Sequence, residues 1–203
     1  MKFVGLYDLV MALAERWPVG RMRREAVSAS RGLVLEIAAG TGLDFRHYQP
    51  GAVVIATELD LAMLDRARHR AASADARVTL VAADAQNLPF RTGTFDTAVV
   101  ALGLCTIPRP DDALSEIHRV LTRSGILRLL EHVRINHPAV AGWLQDNLTP
   151  VWRRLAGGCR LNENTIDRVR DSGFEIVQLD KHANGLFVKM SAEKTSRQAS
   201  GKA

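Results

Sequence analysis

Apolar runs of strand length recur along this chain at 32–37 (GLVLEI), 52–57 (AVVIAT), 77–83 (RVTLVAA), 95–101 (FDTAVVA) and 125–130 (GILRLL). Between most of them the apolar residues fall at helical spacing, as in Leu61, Leu64 and Ala67, or Ala113, Ile117 and Leu121. Near-continuous apolar strands alternating with amphipathic helices predict an α/β chain with a parallel sheet covered by helices. Asp111 and Asp112 suit a helix N-terminus, where the macrodipole favours acid, and Ser124-Gly125 is expected to close that helix.

The pattern changes in the last third. A helix is predicted over 138–156, broken near Pro150, and another over 165–171 behind Asn162. Two strands follow, near 174–180 and 185–190, separated by Asn184-Gly185; both residues tolerate the positive φ of a tight turn, so this pair should be antiparallel. The tail from 191 to 203, SAEKTSRQASGKA, is small and polar and is expected to be disordered. No internal repeat is evident.

With 203 residues and 47% apolar content, one buried core is expected. The N-terminus meets Asp8 and Glu15 before a long apolar run develops, and no stretch reaches the roughly 18 apolar residues of a membrane span. Neither secretion nor an integral membrane protein is expected. Cys105 and Cys159 show no ligand spacing, nor do His47, His69, His118, His137 and His182, which suits a reduced, cytoplasmic chain without a structural metal.

The net charge of +5 hides a partition: residues 1–31, 150–170 and 189–203 each carry +3, which leaves −4 for the remainder. An acidic centre with a basic periphery argues against a nucleic-acid-binding core. The flank containing Arg21, Arg23 and Arg24 allows at most a peripheral, salt-sensitive contact with an anionic membrane.

Candidate chemistry begins at VLEIAAGTG, where the first apolar run breaks into a small-residue loop. At the carboxyl end of a strand such a loop leaves space for a ligand, with Gly40 and Gly42 allowing close backbone approach and Glu36 able to accept hydrogen bonds. A dinucleotide loop calls for three glycines, but Ala38, Gly40 and Leu43 occupy those positions, which disfavours an NAD-dependent oxidoreductase. Glu58 stands at the end of the second run and Asp84 at the end of the third. Three acids at three consecutive strand ends suit an adenosine ligand: Glu58 can bind ribose hydroxyls and Asp84 the adenine amine. The missing Walker lysine argues against a nucleoside triphosphate.

In order and spacing, VLEIAAGTG, ATELDLAMLDRAR, AADAQNLPF, TFDTAVVALGLCTI and EIHRVLTRSGILRLLEH resemble the signature segments of class I S-adenosylmethionine-dependent methyltransferases, over roughly residues 30–132. The resemblance implies a Rossmann-like, doubly wound, seven-stranded and mostly parallel sheet with the last strand antiparallel and helices on both faces. It implies S-adenosylmethionine as cofactor, held by the loop from Glu36 through Ala38 and Gly40 to Gly42, by Glu58 and Leu59, by Asp84 and the Ala85 backbone, and by Leu102. Ala38 departs from the commoner glycine. On this view residues 1–190 form one domain, with 1–31 a helical lid, 32–135 the cofactor-binding core and 136–190 the substrate side.

GTGLDFRHYQPG, LCTI, LEHV and WLQDNLTPVWRRLAGGCRL are similar to a branch containing animal thiol methyltransferases and bacterial phospholipid or quinone methyltransferase-like proteins. This implies a small-molecule or lipid-like acceptor methylated at sulfur, nitrogen or oxygen, with a quinone ring carbon as the alternative. A cofactor-binding protein without catalysis is the reading from another class. Nucleic-acid amino methylation is disfavoured because ALGLCTIPRP lacks the Asn/Asp-Pro-Pro-aromatic clamp. Tyr7, Trp143, Trp152 and Cys159 are the substrate-side candidates, and His132, beyond the fifth strand, is the candidate proton acceptor. DKHANG is short where the animal members carry an insertion, so the acceptor pocket is expected to be open unless residues 1–28 or a second subunit of a homodimer cover it.

Overall fold

The computed structural model describes residues 19–135, 139–155 and 158–195. Seven strands form one sheet: β1 (Leu33–Ile37), β2 (Val53–Glu58), β3 (Arg77–Ala82), β4 (Phe95–Ala101), β5 (Leu121–His132), β6 (Phe174–His182) and β7 (Phe187–Lys194). Their order is β3-β2-β1-β4-β5-β7-β6, with β7 antiparallel to both neighbours and the other pairings parallel. The helices are α1 (Val19–Ser28), α2 (Leu61–Ala72), α3 (Pro110–Val120), α4 (Ala139–Leu155) and α5 (Thr165–Asp171).

Strand alternation divides the core between two faces. Leu35, Ile37, Ala98, Val100, Leu127 and Leu129 meet Ala113, Leu114, Ile117 and Val120 of α3 and Val169 of α5. On the opposite face, Val34, Val54, Ala56 and Val99 meet Val27 of α1 and Ala67 of α2, while Leu130 packs on Val19, Met22 and Ala26 of α1. Each fully buried Leu or Ile contributes about 1.5–3 kcal/mol, so the two layers together fix which edge of the sheet carries the strand ends.

Local chemistry sets the element boundaries. Asp60 caps α2 by accepting from the Ala62 and Met63 amides, and Pro110 opens α3 at a position where its missing N–H costs nothing. In the expected hairpin, Asn184 has φ 55° and Gly185 φ 86°.

Three expectations need correction. The helix over 138–156 is not broken at Pro150: α4 runs through it, with Asn147 Nδ2 donating to the Trp143 carbonyl and Thr149 Oγ1 to that of Gln145 in the preceding turn. Ser124-Gly125 does not close α3. The helix ends at Val120, Leu121 turns extended to bury its side chain, and Ser124-Gly125 lies within β5, where pairing slips from Phe95–Leu121 to Thr97–Ile126. The slip folds so tightly that a Cβ on Gly125 would lie 3.0 Å from the Leu121 side chain. Finally, 191–194 is not tail but the end of β7, because Ala192 sits on the buried face opposite Leu127. Residues 196–203 and Tyr7 lie outside the described residues, as does most of the N-terminal lid.

Candidate active site

The strand order reverses between β1 and β4, the place where open α/β sheets hold ligands beyond their strand ends. A cavity of about 570 Å³ lies there. Loops from four consecutive strands line it, contributing Ala38 and Gly40, Glu58 and Leu59, Asp84 and Ala85, and Leu102 and Gly103.

Its acids are fixed by their surroundings. Glu58 accepts from the Gly40 amide through Oε2 at 2.9 Å and from the Asp60 amide through Oε1 at 2.8 Å. Each carboxylate oxygen keeps a lone pair for a hydroxyl. Asp84 accepts from the Gln86 amide and side chain, and these bonds hold its pKa below the usual carboxylate value. Among the described residues no Lys or Arg lines the cavity, which fits a cationic sulfonium and the uncharged donors of an adenosine better than a row of phosphates.

The backbone is bent sharply towards the cavity from both sides. Ala38 has φ 53° and Leu102 φ 58°, left-handed values that cost a non-glycine residue roughly 1 kcal/mol or more and that cluster at functional sites. The Leu102 amide is held by the Leu130 carbonyl at 2.7 Å. The methyl group of Ala38 is accommodated because Gly103 faces it: a Cβ on Gly103 would lie only 2.9 Å away.

Comparison with known proteins draws on the same segment. Residues 35–129 match the model of the family described as "Methyltransferase domain". The ubiquinone/menaquinone biosynthesis C-methyltransferase UbiE of Rhizobium johnstonii is 38% identical over 176 residues, covering 75% of this chain and 68% of that protein. The chain belongs to the S-adenosylmethionine-dependent methyltransferases. Thiol S-methyltransferase TMT1B of Homo sapiens is 27% identical, covering 78% of this chain and 70% of its own. A solved S-adenosylmethionine-dependent methyltransferase from Thermotoga maritima superposes with a TM-score of 0.74 at 23% identity, covering 96% of this chain and 97% of that one, which shows the shared fold.

The methyltransferase places its expected cofactor residues unequally. Ala38, Gly40, Glu58, Leu59, Asp84, Ala85 and Leu102 all line the cavity, whereas Glu36 and Gly42 do not. Gly42, at φ 80°, serves the local turn by leaving room for the Phe45 ring. Glu36 is fully buried beside Tyr48, whose hydroxyl donates to Oε2 at 2.8 Å, and next to the buried pair of Arg23 and Asp44. Burial and the Asp44 charge raise its pKa well above the usual value. Glu36 Oε1 has no partner among the described residues, and an orphaned buried acceptor fits a ligand ammonium.

Beyond the cavity, the ends of β4 and β5 converge on a second cluster. Buried Glu131 accepts from the Gly103 and Leu104 amides at 2.9 and 2.7 Å, bracing the turn that carries Cys105. Burial raises its carboxyl to about 7. His132 Nε2 lies 3.0 Å from Cys159 Sγ, which in turn lies 3.7 Å from Cys105 Sγ. The Cys105 thiol, together with the His132 imidazole, pulls Cys159 down to about 5, while Cys105 is raised by its contact with Cys159 and by burial. Burial is the largest single influence and lowers His132, but the hydrogen bond and charge of Cys159 together with the Glu131 charge outweigh it and leave the imidazole raised.

Trp152 joins this cluster by donating Nε1–H to Cys159 Sγ at 3.3 Å; Trp143, 61% exposed on α4, does not. Glu131 and Cys105 are site residues that sequence reading missed. The available signal was their placement just at or beyond strands four and five, next to His132. The membrane expectation loses one of its three arginines, since Arg23 is buried against Asp44 at 2.5 Å. None of the described helices is long and apolar enough to cross a membrane.

Proposed function

We propose that the methyltransferase acts on a small-molecule acceptor, and that the acceptor atom is a thiol sulfur. When bound, S-adenosylmethionine supplies an electrophilic sulfonium methyl group. Gly40, Glu58, Asp84 and the Ala85 backbone would hold its adenosine part, and the orphaned Glu36 oxygen suits its ammonium.

One observation carries the choice of acceptor: among the described residues, every titratable side chain lining the cavity already accepts hydrogen bonds from its own loops. Glu58 is bound to two loop amides, Asp60 caps α2, and Asp84 is bound to Gln86. His132, the expected proton acceptor, is engaged with Cys159. An alcohol or amine needs a base to remove its proton, whereas a thiol with a pKa of about 8.5 forms useful thiolate unaided. What remains for the protein is alignment, worth up to about 7–11 kcal/mol in favourable cases. The similarity to a thiol S-methyltransferase agrees with this reading.

Methylation of a quinone ring carbon is the second reading, favoured by the higher identity to UbiE proteins. A transfer assay with labelled S-adenosylmethionine across thiols, amines, phenols, quinones and phospholipids separates them. Turnover confined to thiols supports the proposal, and turnover on a quinone with none on thiols overturns it.

A further inference from the structure

Cys105, His132 and Cys159 come from three separate segments, yet their donor atoms all lie within 4.8 Å of one another. In a tetrahedral zinc site with Zn–S near 2.3 Å and Zn–N near 2.0–2.1 Å, neighbouring sulfurs are about 3.8 Å apart and sulfur and nitrogen about 3.6 Å. The two sulfurs here are 3.7 Å apart, already at the edge length of such a tetrahedron, and the nitrogen needs to retreat by about 0.6 Å from its 3.0 Å to the Cys159 sulfur.

The surrounding structure holds these donors in place, with the Cys105 thiol turned to the Leu102 carbonyl at 3.7 Å. Glu131 fixes the Cys105 turn through the Gly103 and Leu104 amides. The loop carrying Cys159 is tied to the same turn: the Arg160 amide donates to the Cys105 carbonyl at 3.1 Å, and its guanidinium to the Ile107 carbonyl at 2.7 Å. Arg160 also pairs with Glu163, which binds Arg168, which binds Asp111 at the start of α3. Gln145 of α4 bridges the Val133 and Leu161 carbonyls. Trp152 Nε1 donates to the Cys159 sulfur, the kind of outer hydrogen bond that orients a ligating thiolate. With the ring proton on Nδ1, which has no partner among the described residues, His132 turns its Nε2 lone pair towards the sulfurs.

We propose that Cys105, His132 and Cys159 bind a single zinc ion, with the fourth position open to a non-protein ligand. Two thiolates and an imidazole are the donor set that favours zinc among the divalent ions, and among the described residues only three ligands converge. Cys105 lies between the cavity-lining Gly103 and Thr106, so the three ligands sit near the cofactor cavity without lining it. The occupant of the open position is water or an anionic sulfur. An acceptor thiol, as proposed above, has the chemistry to take that place, but the metal site does not depend on that reading. Loading the site releases the proton of any thiol still protonated.

The test uses the full chain, kept reduced, stripped with a chelator and titrated anaerobically with Co²⁺ as a spectroscopic substitute. One equivalent should produce thiolate-to-cobalt charge-transfer absorption that added Zn²⁺ abolishes. Cys159→Ser should remove roughly half of that intensity, since it removes one of two thiolates; His132→Ala should preserve the charge transfer but shift the ligand-field bands. Cys159 is partly exposed, so its variant avoids the risk to folding of replacing buried Cys105, and a cooperative thermal transition checks it. Absence of a charge-transfer band with excess Co²⁺, or full intensity in Cys159→Ser, overturns the site. S-adenosylhomocysteine binding is measured on the stripped protein in parallel. Retained binding with no cobalt band rejects the metal site and leaves the cofactor assignment standing.

Discussion

Arg23 of α1 and Asp44, in the loop beyond β1, form an ion pair at 2.5 Å with both side chains almost fully buried. The pair clamps the N-terminal helix onto the loop that leads away from the cavity. Removing one partner strands the other charge in the interior, at a cost of about 3–5 kcal/mol. Asp44→Asn should therefore lower the urea midpoint sharply. If the midpoint moves by no more than a surface substitution allows, the clamp does not hold α1.

Glu36 gives a dependence on pH. Its folded pKa is raised above the ordinary 4.5, first by burial and then by Asp44. Its contribution to stability is thus complete below that ordinary value and lost as pH rises through the folded one. Glu36→Gln keeps an acceptor for Tyr48 but does not ionise. Unfolding measured from acid to mildly alkaline pH should show the wild type losing stability relative to the variant as pH rises. Parallel profiles would mean that Glu36 is not buried in this way.

The contact between Ala38 and the space at Gly103 yields a reciprocal pair of substitutions. Gly103→Ala brings two methyl groups to 2.9 Å and should displace the Ala38 loop and weaken S-adenosylhomocysteine binding. Adding Ala38→Gly should recover much of the loss. Additive losses in the double variant would show that the two positions do not compensate each other.

Gln145 joins α4 to the end of β5 and to the Leu161 loop, bonding Ile135 N, Val133 O and Leu161 O. Gln145→Leu leaves these groups without their partner, each costing about 1–3 kcal/mol if water does not replace it. It should raise the acceptor KM while leaving cofactor affinity near wild type, because no residue of α4 lines the cofactor cavity. Comparable losses of both would place α4 nearer the cofactor than the geometry does.

That Gly40, Glu58 and Asp84 meet at one edge of the sheet was legible in the sequence because the logic is local: Glu58 and Asp84 end apolar runs, and Gly40 follows one. The antiparallel pairing of β6 with β7 was legible from the Asn184-Gly185 turn. What could not be read depended on contacts distant in sequence. Cys159 meets His132 and Cys105 across 27 and 54 residues, through a loop held by Arg160 and Gln145. The surroundings of Glu36 were hidden for a related reason: in a strand the side chain alternates between faces, and its position turns it towards Tyr48 under α1, with one carboxylate oxygen left without a partner among the described residues. Pro150 and Gly125 were read as breaks because local rules say so, whereas α4 continues through the proline and the slip between β4 and β5 takes up the glycine.

Glu58, at the end of β2, lines the cavity beyond β1 to β4 in which the adenosyl cofactor is proposed to bind. Calorimetric titration of the full chain with S-adenosylhomocysteine, alongside Glu58→Ala and with NAD as control, tests that binding most directly. The account expects one-to-one binding by the wild type, a loss of about 1–3 kcal/mol in Glu58→Ala on the scale of hydrogen bonds to a charged group, and no response to NAD. Unchanged affinity in the variant, or tight NAD binding with no response to S-adenosylhomocysteine, would contradict it.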